Sequence, residues 1–109
     1  MNAAPISRPE PSAQLTRADG ELVIRLEGEF DIATRNLIDG ALAEAAEVPE
    51  VRIVVDLSGV GFMDGAGMHA LLDGRERLAA CGRVLRTRRA QPQVARLLEI
   101  ARAQYGILI

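Results

Sequence analysis

The sequence predicts an α/β fold: one domain with a mixed, mostly parallel sheet of four to five strands, an N-terminal β-hairpin and three to four helices. Three observations support this. The chain has 109 residues, 49% of them apolar, which suits one domain with its own core. Two strand-like runs flank an Asp-Gly turn near the start. Helix-like and strand-like runs then alternate, as parallel strands joined by right-handed crossovers require.

The opening hairpin consists of an edge strand at Ala13–Arg17, a turn at Ala18–Glu21 and a strand at Leu22–Leu26. Asp-Gly is a strong signal for such a turn. Residues 1–12 hold three of the five prolines and are predicted to be a flexible tail. We therefore expect the domain to span residues 13–109.

A first helix follows the segment Gly28–Asp31, and either Asp31 or Thr34 can cap it. Pro49 ends the helical region. The apolar residues at helical spacing, which predict the buried face, are Leu37, Ile38, Ala41, Leu42 and Ala45.

The strongest strand signal is Val51–Leu57, whose β-branched residues are typical of a strand covered on both faces. A loop is predicted at Ser58–Met63, and a second helix from near Gly65 to Ala80. The apolar positions of this helix are Met68, Leu71, Leu72, Leu78 and Ala79.

The last third of the chain predicts a fourth strand at Val84–Thr87, after a stop at Cys81-Gly82. Pro92 suits the first turn of a third helix, and Ile107–Ile109 predicts a final strand. The apolar stripe of the third helix is Val94, Leu97, Leu98 and Ala101.

Composition argues against several classes of function. Residues 75–109 hold eight of the 13 cations, all arginine, but no aromatic-rich motif that would bind nucleic acid. No apolar run reaches the roughly 18 residues of a membrane span, and no signal peptide is visible. The lone Cys81 fits a reducing compartment. We therefore expect a cytoplasmic protein without nucleic-acid binding or membrane insertion.

The turn Asp64–Gly67 lies between a predicted strand and the start of the second helix, where unpaired N–H groups make the surroundings electropositive. One interpretation is a capped turn with no chemistry, in which Asp64 is the cap. Another is a dinucleotide site, because residues 65–70 match G-x-G-x-x-A. The seven residues Ser58–Asp64, which would separate the strand from the glycines, argue against that site.

Hydrolytic catalysis has weak support in the sequence. His69 and Cys81 are the only histidine and cysteine, and they lie on the same predicted helix, about 18 Å apart along its axis. A Cys–His pair is therefore excluded on a straight helix. We expect His69 to be exposed and Cys81 to be a buried helix-end residue. We expect no catalytic residue, cofactor or metal site.

Several short motifs follow one another along the chain: Gly28-Glu29-Phe30-Asp31, Val55-Asp56-Leu57-Ser58, Phe62-Met63-Asp64-x-x-Gly67, Gly82 before the fourth strand, and Val94-x-x-Leu97. Their order and spacing resemble those of a STAS domain over about residues 13–109. This family includes anti-sigma-factor antagonists and the cytosolic domains of sulfate transporters.

The resemblance implies a non-catalytic regulator that binds an anti-sigma factor or a related kinase-fold partner. In the family, the residue after the aspartate of the turn is a serine that the partner kinase phosphorylates. Gly65 stands at that position here, and Ala66 replaces a second hydroxyl residue. Ser58, the nearest hydroxyl, is interpreted as structural. The expected partner-binding residues are Asp31, Phe62, Asp64, Gly65, Ala66, Gly67, Met68 and His69.

A second partner is consistent with the same resemblance. Short solitary STAS domains also resemble the accessory subunit that docks on the ATPase of lipid-trafficking ABC transporters. That role needs no phosphoserine, so Gly65 favours it. A small ligand-binding module that uses the helix N-terminus is a third alternative.

Overall fold

A computed structural model describes residues 10–49 and 52–105. Their elements alternate as the sequence predicts. In chain order, the strands and helices are β1 (Ser12–Ala18), β2 (Glu21–Phe30), α1 (Arg35–Ala46), β3 (Arg52–Met63), α2 (Gly65–Ala80), β4 (Leu85–Arg88) and α3 (Pro92–Tyr105).

The four described strands form one mixed sheet in the order β1-β2-β3-β4. The pair β1–β2 is antiparallel, whereas β2–β3 and β3–β4 are parallel. The α/β fold class with an N-terminal hairpin is therefore confirmed. The hairpin turn places Asp19 (φ 52°) and Gly20 (φ 76°) in the left-handed region, as a tight two-residue turn requires.

β3 is longer than the sequence predicts, and the predicted loop at Ser58–Met63 is wrong. The strand continues to Met63 and pairs with β2 along this part, through Glu27↔Gly59 and Phe30↔Met63. Two register irregularities accommodate extra residues in β3. Such bulges bend a strand and change which side chains face the core.

The bulges explain the spacing of the buried side chains in β3. Ile53, Val55 and Leu57 are buried at the regular spacing of two, but the next buried residues are Val60 and Met63. Each extra residue shifts the alternation by one position, so these two side chains also reach the core. The central strand can thus extend far enough to place its last residue beside the start of α2.

The core joins one face of the sheet to residues from all three helices. In α1, the predicted stripe is buried at Ile38, Ala41, Leu42 and Ala45, and Leu37 packs against it from a half-buried position. The burial of Met68, Leu71, Leu72 and Leu78 in α2 is likewise confirmed, but Ala79 is exposed. In α3, Val94 and Ala101 are buried and the two leucines are half-buried.

Arg83 joins the end of α1 to the loop before β4. Its guanidinium donates hydrogen bonds to the backbone oxygens of Ala45, Ala46 and Val48. The last carbonyls of a helix lack partners within the helix, and a cation is favoured there. Arg83 therefore stabilises the carboxyl end of α1 from another part of the chain.

Two predicted segments lie partly or wholly outside the described residues. These are the tail at residues 1–12, of which only 10–12 are described, and the final strand at Ile107–Ile109. The fourth strand begins at Leu85, and Val84 is 60% exposed. None of the described helices has the length and apolar character needed to cross a membrane.

Candidate functional site

The candidate site lies where two neighbouring parallel strands end at the same edge of the sheet. Phe30, the last residue of β2, pairs with Met63, the last residue of β3. Asp31 and Asp64 follow these two residues directly: Asp31 begins the turn before α1, and Asp64 is the N-cap residue of α2. The fold thus brings together two segments that the sequence singled out separately.

Asp64 caps α2 as predicted. Its Oδ1 accepts hydrogen bonds from the backbone N–H groups of Ala66 at 2.9 Å and Gly67 at 3.1 Å. Its own N–H donates to the backbone oxygen of Phe30 at 3.0 Å, which fixes the cap to the end of β2. The helix N-terminus is therefore held against the sheet by one residue.

The same cap argues against the dinucleotide site. The predicted separation of the strand from the glycines by residues Ser58–Asp64 is wrong and does not argue against it. Because β3 continues to Met63, only Asp64 separates the strand from the glycines. A bound phosphate needs the amides of the first helical turn. Two of those amides already donate to the Asp64 carboxylate, whose negative charge would also repel an anion.

The two glycines of this turn differ in what surrounds them. A Cβ on Gly67 would lie 2.8 Å from Met63 Cγ and 3.1 Å from the Phe30 backbone oxygen. Gly67 therefore allows α2 to approach the sheet closely. A Cβ on Gly65 would meet no heavy atom within 4 Å apart from its chain neighbours and the backbone of its own helix, and Gly65 does not have a left-handed φ.

Asp31 organises the turn between β2 and α1. Its Oδ1 accepts hydrogen bonds from the N–H groups of Ala33 at 2.9 Å and Thr34 at 3.1 Å. The Thr34 hydroxyl accepts one from the Asp31 N–H at 3.0 Å. Thr34 is the N-cap residue of α1, as one of the two predictions has it, but the predicted side-chain hydrogen bond to the helix is absent. The Asp31 and Thr34 side chains close the preceding turn instead.

The predicted partner-binding residues divide into an exposed and a buried group. Gly65 and His69 are exposed, Phe62 is 41% exposed, and Asp31, Asp64 and Ala66 are half-buried. Gly67 and Met68 are buried and pack inward. Only the first group is accessible at the surface, and the second group packs beneath it.

Ile32 adds an apolar residue to this edge that the sequence analysis missed. Its side chain is 80% exposed, and it lies in the turn directly after Asp31. An isoleucine inside an otherwise small and polar turn is the signal that could have found it. We name the exposed or half-exposed residues Ile32, Phe62, Gly65, Ala66 and His69 the α2 edge surface.

A shallow groove continues from this surface between α2 and α3. Among its lining residues are Gly65 and His69 from α2 and Leu97 and Ile100 from α3. Ile100 is 53% exposed, although it lies on a helix that packs against the core. The α2 edge surface therefore borders further exposed apolar area.

Ser58 lies beside a buried carboxylate. Asp56 is only 3% exposed, and its Oδ1 accepts a hydrogen bond from the Ser58 N–H at 2.9 Å. Burial raises the pKa of Asp56, but hydrogen bonds from Ser58 and the charges of Arg25 and Arg89 hold it below its ordinary value. A phosphate on Ser58 would face this carboxylate, which supports a structural role for the serine.

Cys81 differs from its prediction. It caps the carboxyl end of α2 and is exposed, because the last turn of the helix extends beyond the core residue Leu78.

Residues 10–49 and 52–105 contain no group of three or more His, Cys, Asp or Glu that could hold a metal ion.

Known proteins resemble this chain mainly in structure. No curated protein matches the sequence. The chain is similar to the anti-sigma factor antagonist SpoIIAA in its unphosphorylated form, with 24% identity, a TM-score of 0.65, and 82% and 83% of the two chains covered. The chain is also similar to the phosphorylated form of the Bacillus protein SpoIIAA, with 26% identity and a TM-score of 0.62. That match covers 83% of each chain.

An anti-sigma factor antagonist from Mycobacterium paratuberculosis has the same fold, with 23% identity and a TM-score of 0.73 over 97% of this chain and 87% of that one. The family model described as "Mlab, STAS domain" matches residues 13–108. This match covers almost the whole chain, and the chain belongs to the STAS domain family.

Proposed function

We propose that this protein is a non-catalytic, cytoplasmic regulator that binds an anti-sigma factor through the α2 edge surface. The observation that carries the proposal is the open surroundings of Gly65. This residue is exposed, and apart from its chain neighbours and the backbone of its own helix no heavy atom lies within 4 Å of its Cβ position. It directly follows the Asp64 cap of α2. A partner can therefore approach the backbone here without displacing any side chain.

The flanking residues support binding of a protein. Ile32 and Phe62 are exposed apolar side chains at the adjoining strand ends. Apolar side chains that are exposed near one another mark protein-interaction sites more often than single ones do. The structural likeness to anti-sigma factor antagonists, together with the family, supports an anti-sigma factor as the partner.

The proposal includes loss of the phosphorylation switch that the family has at the position of Gly65. Neither Gly65 nor Ala66 has an oxygen that could accept a phosphoryl group, and Ser58 is engaged with Asp56. A phosphate would add about −1.5 to −2 charges to the surface. Without an acceptor the surface cannot gain this charge, so we propose that binding is constitutive with respect to phosphorylation.

A matched pair of charge variants tests the binding surface. Gly65→Asp places a carboxylate on the α2 edge surface, and we expect it to weaken binding of the anti-sigma factor at least about tenfold. Gly40→Asp adds the same charge at another exposed helical glycine with open surroundings, on α1. It should change the Kd by less than about twofold. Equal effects of the two variants in a binding titration would contradict the proposed surface.

A kinase assay tests the lost switch separately. Incubation of the native chain with the partner kinase and ATP should add no phosphate to residues 62–70 or to Ser58. Gly65→Ser should fold, because its Cβ meets open space, and should become phosphorylated. A phosphopeptide from the native chain would refute the claim.

The second candidate function is an accessory subunit that docks on the ATPase of an ABC transporter. The absence of a hydroxyl at Gly65 favours it, because such docking needs no phosphorylation. The description of the matching family model, "Mlab, STAS domain", does not mention an anti-sigma factor antagonist. The identity of the captured partner distinguishes the two candidates.

A further inference from the structure

The carboxyl half of β3 has a strand on only one side within the described residues. β4 pairs with β3 from Ile53↔Leu85 to Asp56↔Arg88, where β4 ends. β3 continues to Met63 and keeps only β2 as a strand neighbour. The backbone N–H and C=O groups on its other edge therefore need partners from elsewhere.

Three alternate residues of the segment that leads from β4 into α3 lie along this open edge. The Arg89 guanidinium is 3.6 Å from Asp56 Oδ2. The Gln91 amide donates to the Ser58 backbone oxygen at 2.7 Å. Side chains thus continue the edge contacts after the strand pairing stops.

Gln93 makes the most complete of these contacts. Its Oε1 accepts a hydrogen bond from the Met63 N–H at 3.1 Å, and its Nε2 donates to the Met63 backbone oxygen at 2.9 Å. A side-chain amide that bonds both groups of one residue replaces the peptide of a neighbouring strand. The last residue of β3 is therefore held on both backbone groups by α3.

Met63 directly precedes the cap of α2. Asp64 then donates its N–H to the Phe30 oxygen and accepts from the Ala66 and Gly67 amides. A shift of Met63 would move this cap and the α2 edge surface with it. We propose that Gln93 is a positioning residue, which fixes the end of β3 and thereby the geometry of the partner-binding surface. The use of that surface rests on the proposed function, whereas the positioning itself does not.

Amide exchange measured by NMR on the full chain tests the positioning. Gln93→Leu keeps the size of the side chain but removes both hydrogen bonds. We expect the Met63 amide to exchange about five- to tenfold faster, as loss of one hydrogen bond implies. The Ala66 and Gly67 amides should exchange at least about twofold faster, and the Ile24 amide in β2 should keep its rate.

Two further variants separate positioning from general stability. Gln91→Leu removes only the bond to Ser58, and we expect it to leave the Ala66 and Gly67 amides unchanged. Gln93→Glu keeps an acceptor for the Met63 N–H but loses the donor, so Met63 should stay more protected than in Gln93→Leu. If Gln93→Leu accelerates all core amides equally, or none of them, the proposal is overturned.

The exchange experiment needs no partner and thus separates the two proposals. If the local acceleration is seen but no anti-sigma factor binds, the positioning stands and the proposed partner is wrong. If binding is confirmed but Gln93→Leu neither accelerates exchange at Ala66 and Gly67 nor weakens binding, only the positioning is refuted.

Discussion

The two glycines of the first turn of α2 give a stability test in which one variant is the control for the other. Gly67→Ala places a Cβ 2.8 Å from Met63 Cγ and 3.1 Å from the Phe30 backbone oxygen. The oxygen belongs to the sheet and Met63 is fully buried, so neither can move away easily. Overpacking of this kind costs about 1–3 kcal/mol. In Gly65→Ala, the new Cβ meets no heavy atom of another part of the chain within 4 Å.

Alanine favours a helix more than glycine does, by at most about 1 kcal/mol. Both variants gain this contribution to stability, so it cancels when they are compared. We therefore expect Gly65→Ala to be neutral or slightly stabilising, and Gly67→Ala to be less stable than it by about 1–3 kcal/mol. Urea unfolding followed by circular dichroism measures the difference. In thermal unfolding, each kcal/mol corresponds to about 4–8 °C in Tm for a small domain. If Gly67→Ala is as stable as Gly65→Ala, the claim that close packing of α2 against the sheet leaves no room for a Cβ at position 67 is refuted.

Two further predictions concern residues outside the α2 edge surface. Arg83→Met keeps the side-chain stem but removes the donors to three backbone oxygens at the end of α1, so urea unfolding should show a loss of about 1–3 kcal/mol. Arg96→Met, at an exposed position on α3, should change stability by less than about 0.5 kcal/mol, and an equal loss would contradict the capping role. The pKa of Asp56 is lower in the folded chain than its ordinary value, so its contribution is complete above pH ~4 and is lost as pH falls through the folded pKa. Asp56→Asn should therefore flatten the stability profile below pH ~4, and a profile that stays as steep as that of the native chain would refute this assignment.

The order of the elements could be predicted because local patterns determined it. Each of these patterns predicts the element in which it lies: the Asp19-Gly20 turn, the β-branched run from Ile53 to Val55, and the apolar stripes of the helices. These signals do not depend on distant contacts. The alternation of strands and helices then left few possible topologies.

The end of β3 could not be predicted for the opposite reason. Ser58, Gly59 and Gly61 read as a loop, and only pairing with β2 makes them a bulged strand. Glycine in a strand often marks such a bulge, but the position of the partner strand is a tertiary property.

The composition of the site shows the same division. The cap at Asp64 follows from residue type and position, and the structure confirms it. The contribution of Gln93 depends on α3 packing beside the end of β3, which no local pattern encodes. Exposure of Cys81 likewise depends on where the core ends along α2.

Affinity capture of the native chain from its own cell extract, followed by mass spectrometry, tests the central claim most directly. Capture with Gly65→Asp and Gly40→Asp as baits provides the matched controls. We predict that an anti-sigma factor is recovered with the native chain and with Gly40→Asp, and is depleted with Gly65→Asp. Recovery of a transporter ATPase in place of an anti-sigma factor would contradict the account and establish the second candidate function.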